Sequence, residues 1–99
     1  MNLSVLGLCY LARKIVFSDD ILPHLKKNKV ALILIASDAS LNTTKKFTDK
    51  ANFYGCEVIN SVSSYDISLN LGKANIKVIG ILDRGFAKLI KKEVLDEKL

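Results

Sequence analysis

The sequence predicts an α/β fold, a three-layer α/β/α sandwich, on three observations. Segments of helical and strand character alternate along the whole chain. Two apolar runs, "VALILIA" (Val30 to Ala36) and "IKVIGIL" (Ile76 to Leu82), show no polar alternation. Such runs read as central strands covered on both faces. An apolar fraction of 49% over 99 residues is ample for the core of one small domain, so residues 1–99 are expected to form a single domain.

Each element has a local reason. Leu3 to Ala12 is apolar all along, with Gly7 inside, and reads as a helix packed on a sheet. "KIVF" is a short strand. Ser18, Asp19 and Asp20 supply N-cap chemistry for a second helix. Pro23 belongs in that helix's first turn, which argues for a cap at Asp19 or Asp20. After the first central strand, a third helix runs from about Ser40 to Tyr54 and stops at Gly55. On it, Leu41, Thr44, Phe47, Thr48, Ala51 and Tyr54 share one arc, while Lys45, Lys46, Asp49 and Lys50 share the other. "CEVINSV" is the next strand, and "SYDISLNLGK" is a short helix ended by Gly72. The last helix begins after Asp83 and runs into the charged "KLIKKEVLDEKL".

Composition narrows the function. Fifteen basic residues against ten acidic ones leave +5, with a pI near 9.3. That balance points to nucleic acid or an acidic partner. Cys9 and Cys56 are far apart, neither lies in a CxxC, and His24 is the only histidine. Two reduced, mostly buried thiols are expected, with no metal site. The longest apolar run is too short to cross a bilayer, and no positive charge precedes the apolar N-terminal segment. A cytoplasmic protein without a membrane partner is therefore expected. No nucleophile–base pair or Gly-rich nucleotide loop is present, so neither catalysis nor a cofactor is expected. Asp38 and Asp83, at strand ends, read as N-caps.

One stretch, "IASDASLNTTKKFTDKANFYG", leaves two readings open. Its lysines are the solvated face of a helix by periodicity. Ser37, Asp38 and Ser40 also stand where a central strand meets a helix N-terminus, whose free amides suit a phosphate. Thr43 and Lys46 are near enough in sequence to assist.

That stretch, with "SSYDISLNLGK" and "VIGILDRGFAKLI", resembles the ribosomal L-seven-Ae superfamily of kink-turn RNA-binding proteins, and within it the small bacterial YlxQ-like branch. The resemblance extends from "LGLCYLARKIV" to "GFAKLI". It implies a four- or five-stranded mixed sheet and RNA binding without catalysis. It places RNA at three loops: Phe17 to Leu22, Ala36 to Ser40, and Ser61 to Lys73. The family's Gly-x-Asn-Glu-x-x-Lys-like motif places Ser18 at the asparagine, Asp19 at the glutamate and Leu22 at the lysine. Its usual Leu-Gly pair is Ile67-Ser68 here, while Gly72 and Lys73 match. Ser68 is expected to clash where backbone approaches RNA.

The resemblance thus implies docking of Ser18, Asp19, Ala36, Ser37, Asp38, Ile67, Ser68 and Gly72 against RNA. Arg13, Lys14, Lys46 and Lys73 are its phosphate candidates, with Arg13 and Lys14 placed near the RNA side and Lys77 a further cation. Tyr65 and Phe17 are suited to stacking on bases, although packing roles are the expectation for both. His24 reads as a surface residue. The expected partner is a structured RNA, ribosomal or another kink-turn RNA, in the translation apparatus, bound by a monomer. The alternative is a protein-interaction module on the same scaffold, with a ribosome-associated partner.

Overall fold

The computed structural model describes residues 3–97, and the alternation of side chains along two strands sets its layers. β2 (Leu32–Ile35) and β4 (Val78–Ile81) are buried along their whole length. Leu32, Leu34, Ile79 and Ile81 pack on one face of the sheet, and Ile33, Ile35 and Val78 on the other. β1 (Ile15–Phe17) and β3 (Glu57–Ile59) are the edges, giving the order β1-β4-β2-β3. β4 is antiparallel to both β1 and β2, with Ile81 opposite Ile15 and Leu32, whereas β2 and β3 are parallel. The sheet is therefore mixed and four-stranded, within the range the resemblance implied.

Helices α1 (Ser4–Leu11), α4 (Ser64–Leu71) and α5 (Arg84–Glu97) cover the first face. Helices α2 (Ile21–Lys26) and α3 (Leu41–Phe53) cover the second. The result is the α/β/α sandwich. Each fully buried Leu or Ile, such as Leu6, Ile21, Ile67 and Ile90, contributes on the order of 1.5–3 kcal/mol relative to exposure. Gly80 lets α2 come close: a Cβ there would lie 3.1 Å from Val16 Cγ2 and 3.3 Å from Ile21 Cγ1.

Several element ends follow local chemistry. Ser40 caps α3 by accepting from the Thr43 amide at 3.1 Å, and Asp83 accepts from the Phe86 amide at 2.8 Å at the start of α5. Gly55 and Gly72 end their helices at φ +68° and +67°, where a side chain is strained.

Other expectations fail for identifiable reasons. Ser18–Asp20 form one 3-10 turn before α2, and Asp20 holds the N-cap position without a side-chain capping bond. Pro23 does fall in the first turn of α2, as its third residue. Leu41, placed on the buried arc of α3 by periodicity, is 87% exposed because it is the helix's first residue. "CEVINSV" contributes only three strand residues. Its Asn60 amide donates to the carbonyls of both Ile35 and Ala36 at 3.1 Å, replacing the ladder. Cys9 and Cys56 are free. Cys9 is fully buried, and burial pushes its thiol up to about 11, while Cys56 is half-buried.

No helix among the described residues is long and apolar enough to cross a membrane. The described residues also hold no cluster of His, Cys, Asp and Glu suited to a metal ion. Met1 and Asn2 of the apolar N-terminal segment, and Lys98 and Leu99 of the charged tail, lie outside the described residues.

Candidate functional site

Strand direction gathers four loops at one end of the sheet. Phe17, the last residue of β1, is opposite Ile79, and Ile35, the last of β2, is opposite Val78, the first of β4. Ile59 ends the parallel β3 beside Leu34. The segments after β1, after β2, after β3 and before β4 therefore meet. These are the three loops implicated by the resemblance, together with Lys73 to Lys77.

Asp38 ties three of them together. Its carboxylate accepts from the Ser64 amide at 2.7 Å and the Ser64 hydroxyl at 2.6 Å. Lys77 Nζ donates to Asp38 at 2.9 Å and to Ser64 Oγ at 3.1 Å. The Ser64 hydroxyl and amide, then Lys77, hold the Asp38 carboxyl well below the usual carboxylate range. Asp38 is thus not the cap of α3, as its position after β2 suggested. It satisfies a free amide at the start of α4, across 26 residues of sequence.

Ser68 corrects a second expectation. It is buried, and its hydroxyl accepts from the Ile76 amide at 2.9 Å. The side chain therefore braces the loop before β4 from inside and does not stand out from the surface. Ile67 and Ala36 are both fully buried. Neither side chain is available for docking, and both belong to the core beneath the loops. Gly72 is exposed in its left-handed conformation, with open space around its Cβ position.

Lys73 follows Gly72 and reaches an aromatic pair. Its Nζ lies 5.1 Å from the Tyr10 ring centre and 5.6 Å from that of Phe17. The two rings meet edge to face at 5.9 Å. This arrangement holds a cation at the mouth of the loop cluster with modest attraction. Tyr10 was missed because its role depends on α1 passing over the end of β1. Tyr65, expected to pack, is 72% exposed on α4, and Leu69 one turn later is exposed as well.

At the first junction, Ser18 has φ +43°, and Ser18, Asp19 and Asp20 are all exposed. Lys46 reaches across from α3 to Asp19 at 3.5 Å and rests over the Phe47 ring. Ser37 is exposed, with its amide donating to Val62 at 2.9 Å. Acidic groups slightly outnumber basic ones at this end: Asp19, Asp20, Asp38 and Asp66 stand against Lys46, Lys73 and Lys77.

Arg13 and Lys14 do not join the cluster. They precede β1, whose first residue pairs with the last residue of β4, and the Lys14 carbonyl accepts from Leu82 at 2.8 Å. The two cations therefore sit at the opposite end of the sheet from the loops they were expected to flank.

No family model matches the chain. It is 38% identical over 88 residues to RNA-binding protein YlxQ of Bacillus subtilis (strain 168), covering 87% of this chain and 88% of that protein. It is 33% identical over 90 residues to RNA-binding protein YlxQ of Enterococcus faecium, covering 90% and 86%. Among solved structures, a Bacillus halodurans protein of unknown function matches with a TM-score of 0.81 at 32% identity, over 90% of this chain and 95% of the other. The Giardia lamblia 15.5kD RNA binding protein shares the fold, with a TM-score of 0.76 at 18% identity over 94% and 85%.

Proposed function

The chain belongs to the YlxQ family, and we propose that it is a non-catalytic RNA-binding domain of the translation apparatus that grips a structured, kink-turn-like RNA at the loop end of its sheet. The observation that carries this reading is its identity with relatives that are themselves named as RNA-binding proteins over most of their length. The loop end of the sheet supports this reading. Gly72 offers open backbone, Lys73 a held cation, and Tyr65 an exposed ring for stacking on an unpaired base.

The positive φ of Ser18 suggests a different register for the family motif. Glycine is the residue suited to that conformation, so the motif's glycine fits Ser18 better than Val16, which pairs with Gly80 inside the sheet. In that register Asp20 takes the asparagine position, buried Ile21 the glutamate position, and His24, which faces the opposite end of the sheet, the lysine position. On this reading, recognition rests more on Asp20 and the neighbouring backbone than on a polar pair.

A gel shift tests the reading. Purified protein is titrated against a kink-turn RNA and against the same RNA with its sheared G·A pairs replaced, at low and moderate salt. Binding to the intact RNA alone is expected, and Lys73→Gln is expected to weaken it by roughly tenfold, the loss of one charged contact of about 1.4 kcal/mol. Equal binding to both RNAs that collapses with salt would overturn kink-turn recognition and leave general phosphate binding. A second reading, a protein partner, is favoured by the exposed Tyr65 and Leu69 on α4. Recovery of a complex that survives nuclease treatment supports it.

A further inference from the structure

The positive charge of the chain is not concentrated at the loops just described. A cleft of about 640 Å³ opens at the other end of the sheet. Residues preceding β1, β2 and β3 and following β4 line it, among them Lys14, Lys29, Arg84, Lys88, Lys91 and Glu57. Arg84, Lys88 and Lys91 stand at i, i+4 and i+7 of α5. They form one stripe that rises about 10 Å along the helix. Lys14 and Lys29 face it from the strand beginnings.

Little in the protein neutralises these cations. Glu57 is the one carboxylate that lines the cleft, and it is bound to Lys91 at 2.8 Å. Asp83 is adjacent in sequence, but one of its oxygens is taken by the Phe86 amide. Among the described residues, Lys14, Lys29, Arg84 and Lys88 have no carboxylate at salt-bridge distance.

We propose that this cleft is a second RNA site, which takes the sugar-phosphate backbone of a segment away from the one held by the loops. The inference rests on the RNA-binding reading above and adds a place and a role to it. Five cations spread around a cleft of this size suit a run of phosphates better than a single small anion. His24 and Asn28 also line the cleft, but its charged side chains outnumber these neutral hydrogen-bonding ones. Contacts of this kind add affinity and salt dependence, and fix the orientation of the RNA without reading its sequence. The whole molecule measures 30 × 27 × 26 Å, so one folded RNA can reach both ends.

The test uses the full chain and a kink-turn RNA with each helical arm lengthened by a turn. Affinity is measured by fluorescence anisotropy across a salt series for the parent, for Lys73→Gln, and for the triple variant Lys14→Gln/Arg84→Gln/Lys88→Gln. All three substituted side chains of the triple variant are exposed, and unchanged thermal unfolding confirms its fold. The triple variant is expected to bind roughly 10–100-fold more weakly at low salt. Its plot of log affinity against log salt is expected to be shallower by about 2–3, the share of three phosphate contacts. An unchanged affinity and slope in the triple variant, with Lys73→Gln weakened, overturns the second site and leaves the loop-end reading standing. A parent that binds no RNA at any salt overturns both. Competition by a poly-glutamate peptide that the triple variant abolishes, without any change in the RNA slope, assigns the cleft to an acidic protein segment and also overturns the inference.

Discussion

At one end of the sheet, Asp38 collects two donors from Ser64 and one from Lys77, and Ser68 holds the amide of Ile76 from inside. At the other, four of the five cations around the cleft meet no carboxylate among the described residues. The first end uses its polar groups on itself. Its loops are fixed in shape and their charges are largely balanced. The second leaves its charge for something outside. Shape and charge are thus divided between opposite ends of strands only three or four residues long. A fixed shape favours discrimination between RNA folds, and loose charge favours affinity without discrimination.

The largest expected effect that would break this comparison is at Ser68. Ser68→Ala leaves the Ile76 amide without its partner in a half-buried setting, at a cost of about 1–3 kcal/mol. Urea denaturation reads that cost directly. Ser68→Gly is expected to cost at least as much and to bring no gain in RNA binding, because the hydroxyl points inward. A gain would show that the loop end is not fixed in the way described.

Asp38 gives a smaller effect with a pH signature. Its folded carboxyl titrates below its ordinary value, so its contribution is fully present above the unfolded value of 3.8 and is lost as pH falls further. Asp38→Asn is therefore expected to be less stable than the parent at pH 7, with the gap starting to narrow near the unfolded value of 3.8 and narrowing further as the pH falls toward the lowered folded value. Urea midpoints of both chains at pH 7 and pH 3 check this. A gap that is constant with pH would mean that the ties to Ser64 and Lys77 do not depend on the charge.

The smallest effect sharpens the other end. Glu57→Gln removes the exposed ion pair with Lys91, and stability is expected to change by less than about 1 kcal/mol. It also removes the one lining carboxylate. RNA affinity at low salt is expected to rise a few-fold by anisotropy, and the rise should vanish at high salt.

The fold was legible where local chemistry decides it. Val30 to Ala36 announced a covered strand, Ser40 and Asp83 announced helix starts, and Gly55 and Gly72 announced helix ends. All of these depend on neighbours within a few residues. The site was legible only as a set of loops. The partner of Asp38 is 26 residues away, so sequence position alone suggested a cap for the nearer helix. Ser68 points inward because α4 packs over the loop before β4. Arg13 and Lys14 were assigned to the wrong end because a strand of three residues separates the two ends, and its direction within the sheet is set by pairing with β4. Leu41 shows the limit of helical periodicity: an arc indicates which side faces inward, but not that the helix's first residue is covered.

The position of β4 has a consequence for synthesis. Among the described residues it is the last strand, yet it lies between β1 and β2, bonded to both. While residues 78–81 remain inside the ribosome, β1 has no neighbour and β2 has only β3. Neither the loop cluster nor the basic cleft exists before that strand inserts. The nascent chain therefore gains the loop cluster once that strand inserts, and the basic cleft once α5, which follows it, has folded as well.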